Sequence, residues 1–129
     1  MYVRCMSRRL RVLIVDDYED ARELYAAYLR HVGYDVSTAA EGNAALQCAL
    51  QDTCDVVVLD VGLPTMDGMT ILRLLRANPK TKDIPVIMLS AAVGETVRVQ
   101  AREAGATMFL GKPCLPEELE AMIRQVLRS

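Results

Sequence analysis

The sequence has no tryptophan, one phenylalanine (Phe109) and one histidine (His31), so a metal centre built from several imidazoles is excluded. Its four cysteines, Cys5, Cys48, Cys54 and Cys114, include no C-x-x-C pair. In a chain without an export signal that spacing argues against a disulfide framework and against a zinc site, and the thiols read as buried or idle. The opening stretch, residues 1–11, holds no apolar run resembling a signal peptide, and nowhere does the chain approach the ~18 apolar residues a membrane span needs. The expectation is a cytoplasmic protein with no membrane partner. One-signed charge is lacking too. With 15 Lys and Arg against 17 Asp and Glu the net charge is −2, so nothing global favours nucleic acid or an anionic surface, and no nucleic acid is expected as a partner. The one basic cluster, Arg8, Arg9 and Arg11, reads as solubilising the N-terminus.

What is present is a chain of 129 residues, 52% hydrophobic and 25% charged. That length suits one core, and the balance can bury enough apolar surface to offset chain entropy. Short apolar, β-branched runs at 12–15, 56–59, 86–89 and 107–110 read as strands buried on both faces; a weaker run at 35–39, with Val36 and Thr38 alternating, suits a sheet edge. Between them lie helical spacings, best seen in Ala21, Leu24, Tyr25, Tyr28, Leu29 and Val32 and in Leu119, Met122, Ile123 and Val126. Gly33, Asn78-Pro79 and Gly105 supply stops, and Pro116 with Glu117 and Glu118 a start. His31 falls near the end of the first helix, where contact with the helix dipole is expected rather than metal binding or phosphotransfer. Alternating strand and helix implies right-handed βα units and a central parallel sheet with helices on both faces. The fold expected is α/β, a doubly wound five-stranded sheet of order 2-1-3-4-5, flavodoxin-like. Residues 1–9 read as an N-terminal extension and 10–129 as the domain, and the expectation is that these 129 residues include no output domain.

Ligands of open parallel sheets bind beyond the carboxyl ends of the strands, where strand order reverses. Strand one ends in Asp16-Asp17, strand three in Asp60, strand four in Ser90 and strand five in Lys112-Pro113. Order 2-1-3-4-5 makes strands one and three neighbours at the reversal, gathering three carboxylates with a hydroxyl and an ammonium nearby. Like charges about 4 Å apart repel by roughly 4 kcal/mol per pair at an effective dielectric of 20. A divalent cation relieves this, and hard oxygen ligands favour Mg²⁺ over Zn²⁺. One strand-end Asp alone would read as a solvated turn or cap residue; the convergence of three acids, Ser90 and Lys112 does not.

Asp16-Asp17, the segment Asp60-Val61-Gly62-Leu63-Pro64-Thr65-Met66-Asp67-Gly68, Ser90-Ala91 and Phe109-Leu110-Gly111-Lys112-Pro113 together resemble the receiver domains of two-component response regulators. The resemblance covers about residues 10 to 128, and its intervals agree: Ser90 stands 30 residues after Asp60 and Lys112 stands 22 after Ser90. It implies a phosphorylation-dependent signalling switch rather than an enzyme with a separate substrate. Asp60 would accept a phosphoryl group from a histidine kinase or phosphotransfer partner, with the domain contributing catalytic groups to its own phosphorylation and dephosphorylation. Mg²⁺ would be the cofactor, ligated by Asp17, Asp60 and the backbone carbonyl of Gly62, with Asp16 acting mainly through a water. Lys112 and Ser90 would stabilise the phosphoryl group. Ser90 and Phe109 would form the switch, repacking helix four, strand five and helix five, a face through which a homodimer is open. The bond before Pro113 would be cis.

Some positions depart from the commonest pattern. Gly62 and Ala92 flank the water's path to the phosphoryl group, which leaves the lifetime of the phosphorylated state open. Cys114 and Leu115 follow Lys112-Pro113, and Leu115 supplies no side-chain cap. Three rivals share parts of the chemistry. A Mg²⁺-dependent phosphohydrolase of the haloacid dehalogenase type would carry a second Asp where Gly62 stands. An FMN-binding, flavodoxin-like module would need a phosphate loop where Asp16-Asp17-Tyr18-Glu19-Asp20 stands. An unphosphorylated interaction module on the same fold would not need the intact acidic pocket.

Overall fold

The computed structural model describes residues 9–63 and 66–128; Cys5, Arg8, Pro64, Thr65, Ser129 and most of the expected N-terminal extension lie outside them. Five strands, β1 (Arg11–Val15), β2 (Asp35–Ala39), β3 (Val56–Asp60), β4 (Val86–Ser90) and β5 (Met108–Gly111), alternate with five helices: α1 (Glu19–His31), α2 (Gly42–Gln51), α3 (Gly68–Ala77), α4 (Glu95–Ala104) and α5 (Pro116–Arg128). All pairings are parallel, as the alternation implied, and the order is β2-β1-β3-β4-β5, as expected.

The strand period of two sorts the apolar residues into two layers. Leu13, Val15, Val57, Leu59 and Met88 face α2, α3 and α4, where they meet Ala45, Ile71, Leu72 and Leu75. Val12, Ile14, Val56, Val58, Ile87 and Leu89 face α1 and α5, where they meet Tyr25, Leu29, Leu119 and Ile123. Every residue of β3 and β4 is buried, as central strands covered on both faces should be, and each Val or Leu placed there gains about 1.5–3 kcal/mol from leaving water.

Two expectations need correction. Strand five begins at Met108 rather than at 107 and is half-buried throughout, because it is the sheet's second edge. Thr107 instead stitches the edge on, its N–H donating to Val86 O at 2.8 Å and its hydroxyl accepting from Val86 N–H at 3.0 Å. On α1, Leu24 and Val32 are 56% and 43% exposed, whereas Ala26 is fully buried. The helix turns Ala26, rather than Leu24, to the sheet alongside Tyr25 and Leu29, and the small side chain allows close approach.

The stops and caps have visible causes. Gly33 and Gly105 both take positive φ (112° and 107°) at the ends of α1 and α4, a conformation costly for residues with a Cβ. Beside Gly105 lies Arg76 of α3, whose guanidinium donates to the carbonyls of Gly105, Lys82 and Ile84 at 3.0, 3.0 and 2.7 Å. One side chain thus ties α3, the loop before β4 and the end of α4 together. Leu115 offers no cap of its own to α5, but Glu118 reaches back to its N–H at 2.8 Å, the carboxylate half of a capping box. Cys48, Cys54 and Cys114 are free thiols; burial pushes Cys54 up to about 11, which suits an inert core thiol.

Candidate functional site

Strand ends deliver the polar residues to one crevice. Asp16 and Asp60 continue β1 and end β3 and are 1% and 7% exposed, while Asp17 points outward. One carboxylate oxygen from each of Asp16, Asp17 and Asp60 lies within 4.8 Å of the others. The Lys112 ammonium enters from beyond β5 and lies 2.9 Å from Asp16 Oδ2 and 3.1 Å from Asp60 Oδ2. It balances the two buried acids. Burial would lower the Lys112 ammonium, but its hydrogen bond to Asp16 and the charge of Asp60 outweigh that and raise it. Burial also raises Asp60, the opposing pull of Lys112 and of the Gly62 N–H being too small to cancel it.

The surrounding backbone holds this arrangement. Asp16 N–H donates to Ala39 O at 3.1 Å, and Asp16 Oδ1 accepts from Tyr18 N–H at 2.9 Å. Gly62 N–H donates to Asp60 Oδ1 at 3.2 Å. Val61 N–H reaches Leu89 O at 2.9 Å, and Lys112 N–H reaches Ser90 O at 2.8 Å, so the loops after β3 and β5 both hang on β4. The Lys112–Pro113 peptide bond is cis. Ser90 is 4% exposed, and its hydroxyl accepts from Ala92 N–H at 3.0 Å. Phe109 faces away from this crevice chemistry: its ring lies 4.9 Å beneath the Arg98 guanidinium, on the α4 side of the sheet.

The crevice therefore brings together Asp16, Asp17, Asp60 and Lys112, with Gly62 hydrogen-bonded to Asp60; Ser90 ends the neighbouring strand β4 with its hydroxyl on Ala92 N–H, and Phe109 lies on β5 against Arg98. An acidic, all-oxygen donor set of this spacing fits a hard divalent cation of the Mg²⁺ type. Three contributors were not read from the sequence. A Cβ on Gly68 would stand 2.4 Å from Asp60 O and 2.8 Å from Val61 Cα, so only glycine lets α3 begin this close to Asp60. Arg22 donates to Asp16 O at 3.0 Å and Tyr25 to Cys114 O at 3.0 Å. Nothing in the sequence announces the last pair, 89 residues apart.

The model of the response regulator receiver domain matches residues 12–124. The chain belongs to that family. Response regulator PleD of Caulobacter vibrioides is 42% identical to this receiver domain over 118 residues, 92% of the chain and 26% of PleD. The chain spans from about a quarter to half the length of the curated relatives it matches. Among solved structures, the chemotaxis protein CheY4 of Vibrio cholerae superimposes with a TM-score of 0.89 at 33% identity, over 92% of this chain and 99% of that one. The receiver domain of sensor histidine kinase PA1611 from Pseudomonas aeruginosa PAO1 follows at 0.87 and 29%, over 95% and 100% of the two chains, and it was solved with a magnesium ion coordinated in its active-site cleft. Among the described residues of this receiver domain, no helix is long and apolar enough to cross a membrane.

Proposed function

We propose that this receiver domain, residues 10–129, is a cytoplasmic phosphoacceptor switch in which Asp60 takes a phosphoryl group from a histidine kinase or phosphotransfer protein. The observation that carries this reading is the Lys112 ammonium 3.1 Å from a buried Asp60 oxygen, at the strand-order reversal, with Asp16 and Asp17 alongside. The Asp60 carboxylate attacks phosphorus in line; the phosphorus–nitrogen bond of the donor phosphohistidine breaks, and its electron pair returns to the imidazole. Asp17, Asp60 and the Gly62 carbonyl would hold Mg²⁺, with Asp16 acting mainly through a water, and the ion would supply positive charge to offset that of the phosphoryl group. Lys112 supplies the second positive charge and moves from Asp60 Oδ2 to a phosphoryl oxygen. Placement and electrostatics do most of the work, so the domain contributes the groups for its own phosphorylation and dephosphorylation without turning over a separate substrate.

The readout follows from the charge of the phosphoryl group, about −1.5 to −2, which replaces the single charge of the Asp60 carboxylate. Ser90 leaves the Ala92 N–H and turns its hydroxyl to the phosphoryl group, drawing the loop before α4 with it. Phe109 leaves its place under Arg98 and turns into the space this opens. The repacked α4, β5 and α5 face is the output surface, and a second copy of the domain is a candidate to bind there. Intact mass after incubation with acetyl phosphate and Mg²⁺ tests the central claim: one phosphoryl group should be gained by wild type and none by Asp60→Asn. Equal gain in both would move the phosphoacceptor elsewhere.

A further inference from the structure

Lys112 carries a compact charge on a flexible four-carbon stem, so its aim depends on how firmly its own backbone is held. On one side that backbone is pinned by the Lys112 N–H donating to Ser90 O at 2.8 Å. On the other side the tie comes from α1. Tyr25, 5% exposed, sends its hydroxyl to the Cys114 carbonyl at 3.0 Å and lies 3.7 Å from the Cys114 thiol. One helical turn earlier, Arg22 donates to the carbonyl of Asp16 at 3.0 Å. Positions three apart lie on one helix face, so this face of α1 grips two loops at once. One loop carries Asp16 and Asp17, the other Lys112. The ion pair between Asp16 and Lys112, 2.9 Å, then closes the frame.

We propose that Tyr25 is a positioning residue for Lys112. Its hydroxyl fixes the loop between β5 and α5 so that the ammonium stays aimed at Asp60 when Asp60 carries the phosphoryl group. Its ring fills the core beside Leu29 and Leu119 whatever the site is doing, and only the hydroxyl has this second task. Tyr25→Phe separates the two, keeping the ring and leaving the Cys114 carbonyl without that donor. The role rests on Asp60 being the phosphoacceptor.

Beryllofluoride, a phosphoryl mimic, is the probe, titrated into the full chain with saturating Mg²⁺ and followed by amide chemical shifts. Tyr25→Phe is expected to weaken beryllofluoride binding roughly tenfold, as misplacing a charged group does, while Mg²⁺ alone binds as in wild type. In a Lys112→Ala background the same change should have no further effect, because the group it positions is gone. Amide hydrogen exchange at Lys112 and Leu115 should quicken in Tyr25→Phe. Unchanged exchange, unchanged beryllofluoride affinity, or an equal loss with and without Lys112 would each overturn the role. Failure of wild type to bind beryllofluoride would instead strike the phosphoacceptor reading, and the exchange rates alone would then decide whether Tyr25 holds the Lys112 loop.

Discussion

The ammonium of Lys112 lies 3.1 Å from a carboxylate oxygen of Asp60, the residue we propose is phosphorylated. The same ammonium reaches Asp16 at 2.9 Å, so without a metal it stands in for the positive charge that two buried acids demand. It would therefore compete with a cation for Asp16 and Asp60 and cooperate with it once a phosphoryl group arrives. Lys112→Ala should bind Mg²⁺ as well as wild type or more tightly, yet bind beryllofluoride far more weakly. Parallel losses of both affinities would show that Lys112 shapes the metal site rather than contacting the phosphoryl group.

Asp17 is the exposed member of the acidic trio, beyond the reach of the Lys112 contacts seen for Asp16 and Asp60. An added cation would relieve its repulsion toward them, so Mg²⁺ should raise the melting temperature. Asp17→Asn should abolish the rise and leave the metal-free protein as stable as wild type or more so. Melts with Mg²⁺ and with chelator check this. An equal rise in the variant would remove Asp17 from the ligand set.

Much of this was legible in the sequence because strand-end position is set by topology, and topology by the alternation of short apolar runs with helical spacings. Asp16, Asp60, Ser90 and Lys112 each end or follow a strand, so locating the strands located them. What stayed hidden depends on rotation and edge effects. The stripe on α1 does not tell that Ala26, rather than Leu24, meets the sheet. The half-burial of β5 follows from being last in the order, which its own composition does not state. Tyr25 looks like one more core aromatic, since the partner of its hydroxyl is a backbone carbonyl on the far side of the fold, and backbone acceptors leave no mark in side-chain patterns.

Burial raises Asp60 despite Lys112, and this carries a sign for stability. A carboxyl raised in the folded state prefers to be protonated there, so its contribution is fully present below the unfolded value, near 4, and is lost as pH rises through the folded one. Without metal at neutral pH, ionised Asp60 therefore destabilises the fold. Asp60→Asn should be more stable than wild type by urea denaturation in chelator at pH 7, and the gap should close as pH falls toward ~4. A gap that widened on acidification would mean that Lys112 outweighs burial.

Ser90 and Phe109 sit on adjacent strands, with Met88 paired to Phe109 and Ser90 paired to Gly111, yet each is held by a different weak contact. The Ser90 hydroxyl accepts from Ala92 N–H at 3.0 Å, and the Phe109 ring rests 4.9 Å from the Arg98 guanidinium. If they switch as one element, the first must move to a phosphoryl oxygen before the second finds room inside. Ser90→Ala should then bind beryllofluoride but shift less toward the active surface. A hydrogen bond to a charged acceptor contributes about 1.5–3 kcal/mol, so the two-state ratio should fall roughly ten- to a hundredfold. Arg98→Ala should act in the opposite sense. Losing a cation–π contact of about 0.5–1 kcal/mol frees the ring from its outer place and should favour the inward state by roughly two- to fivefold. Amide shifts across α4, β5 and α5 in the beryllofluoride complexes read both effects. Wild-type shifts in Ser90→Ala at full occupancy would mean that the charge reaches the surface without the hydroxyl, and a smaller response in Arg98→Ala would mean that the guanidinium steadies the inward ring instead.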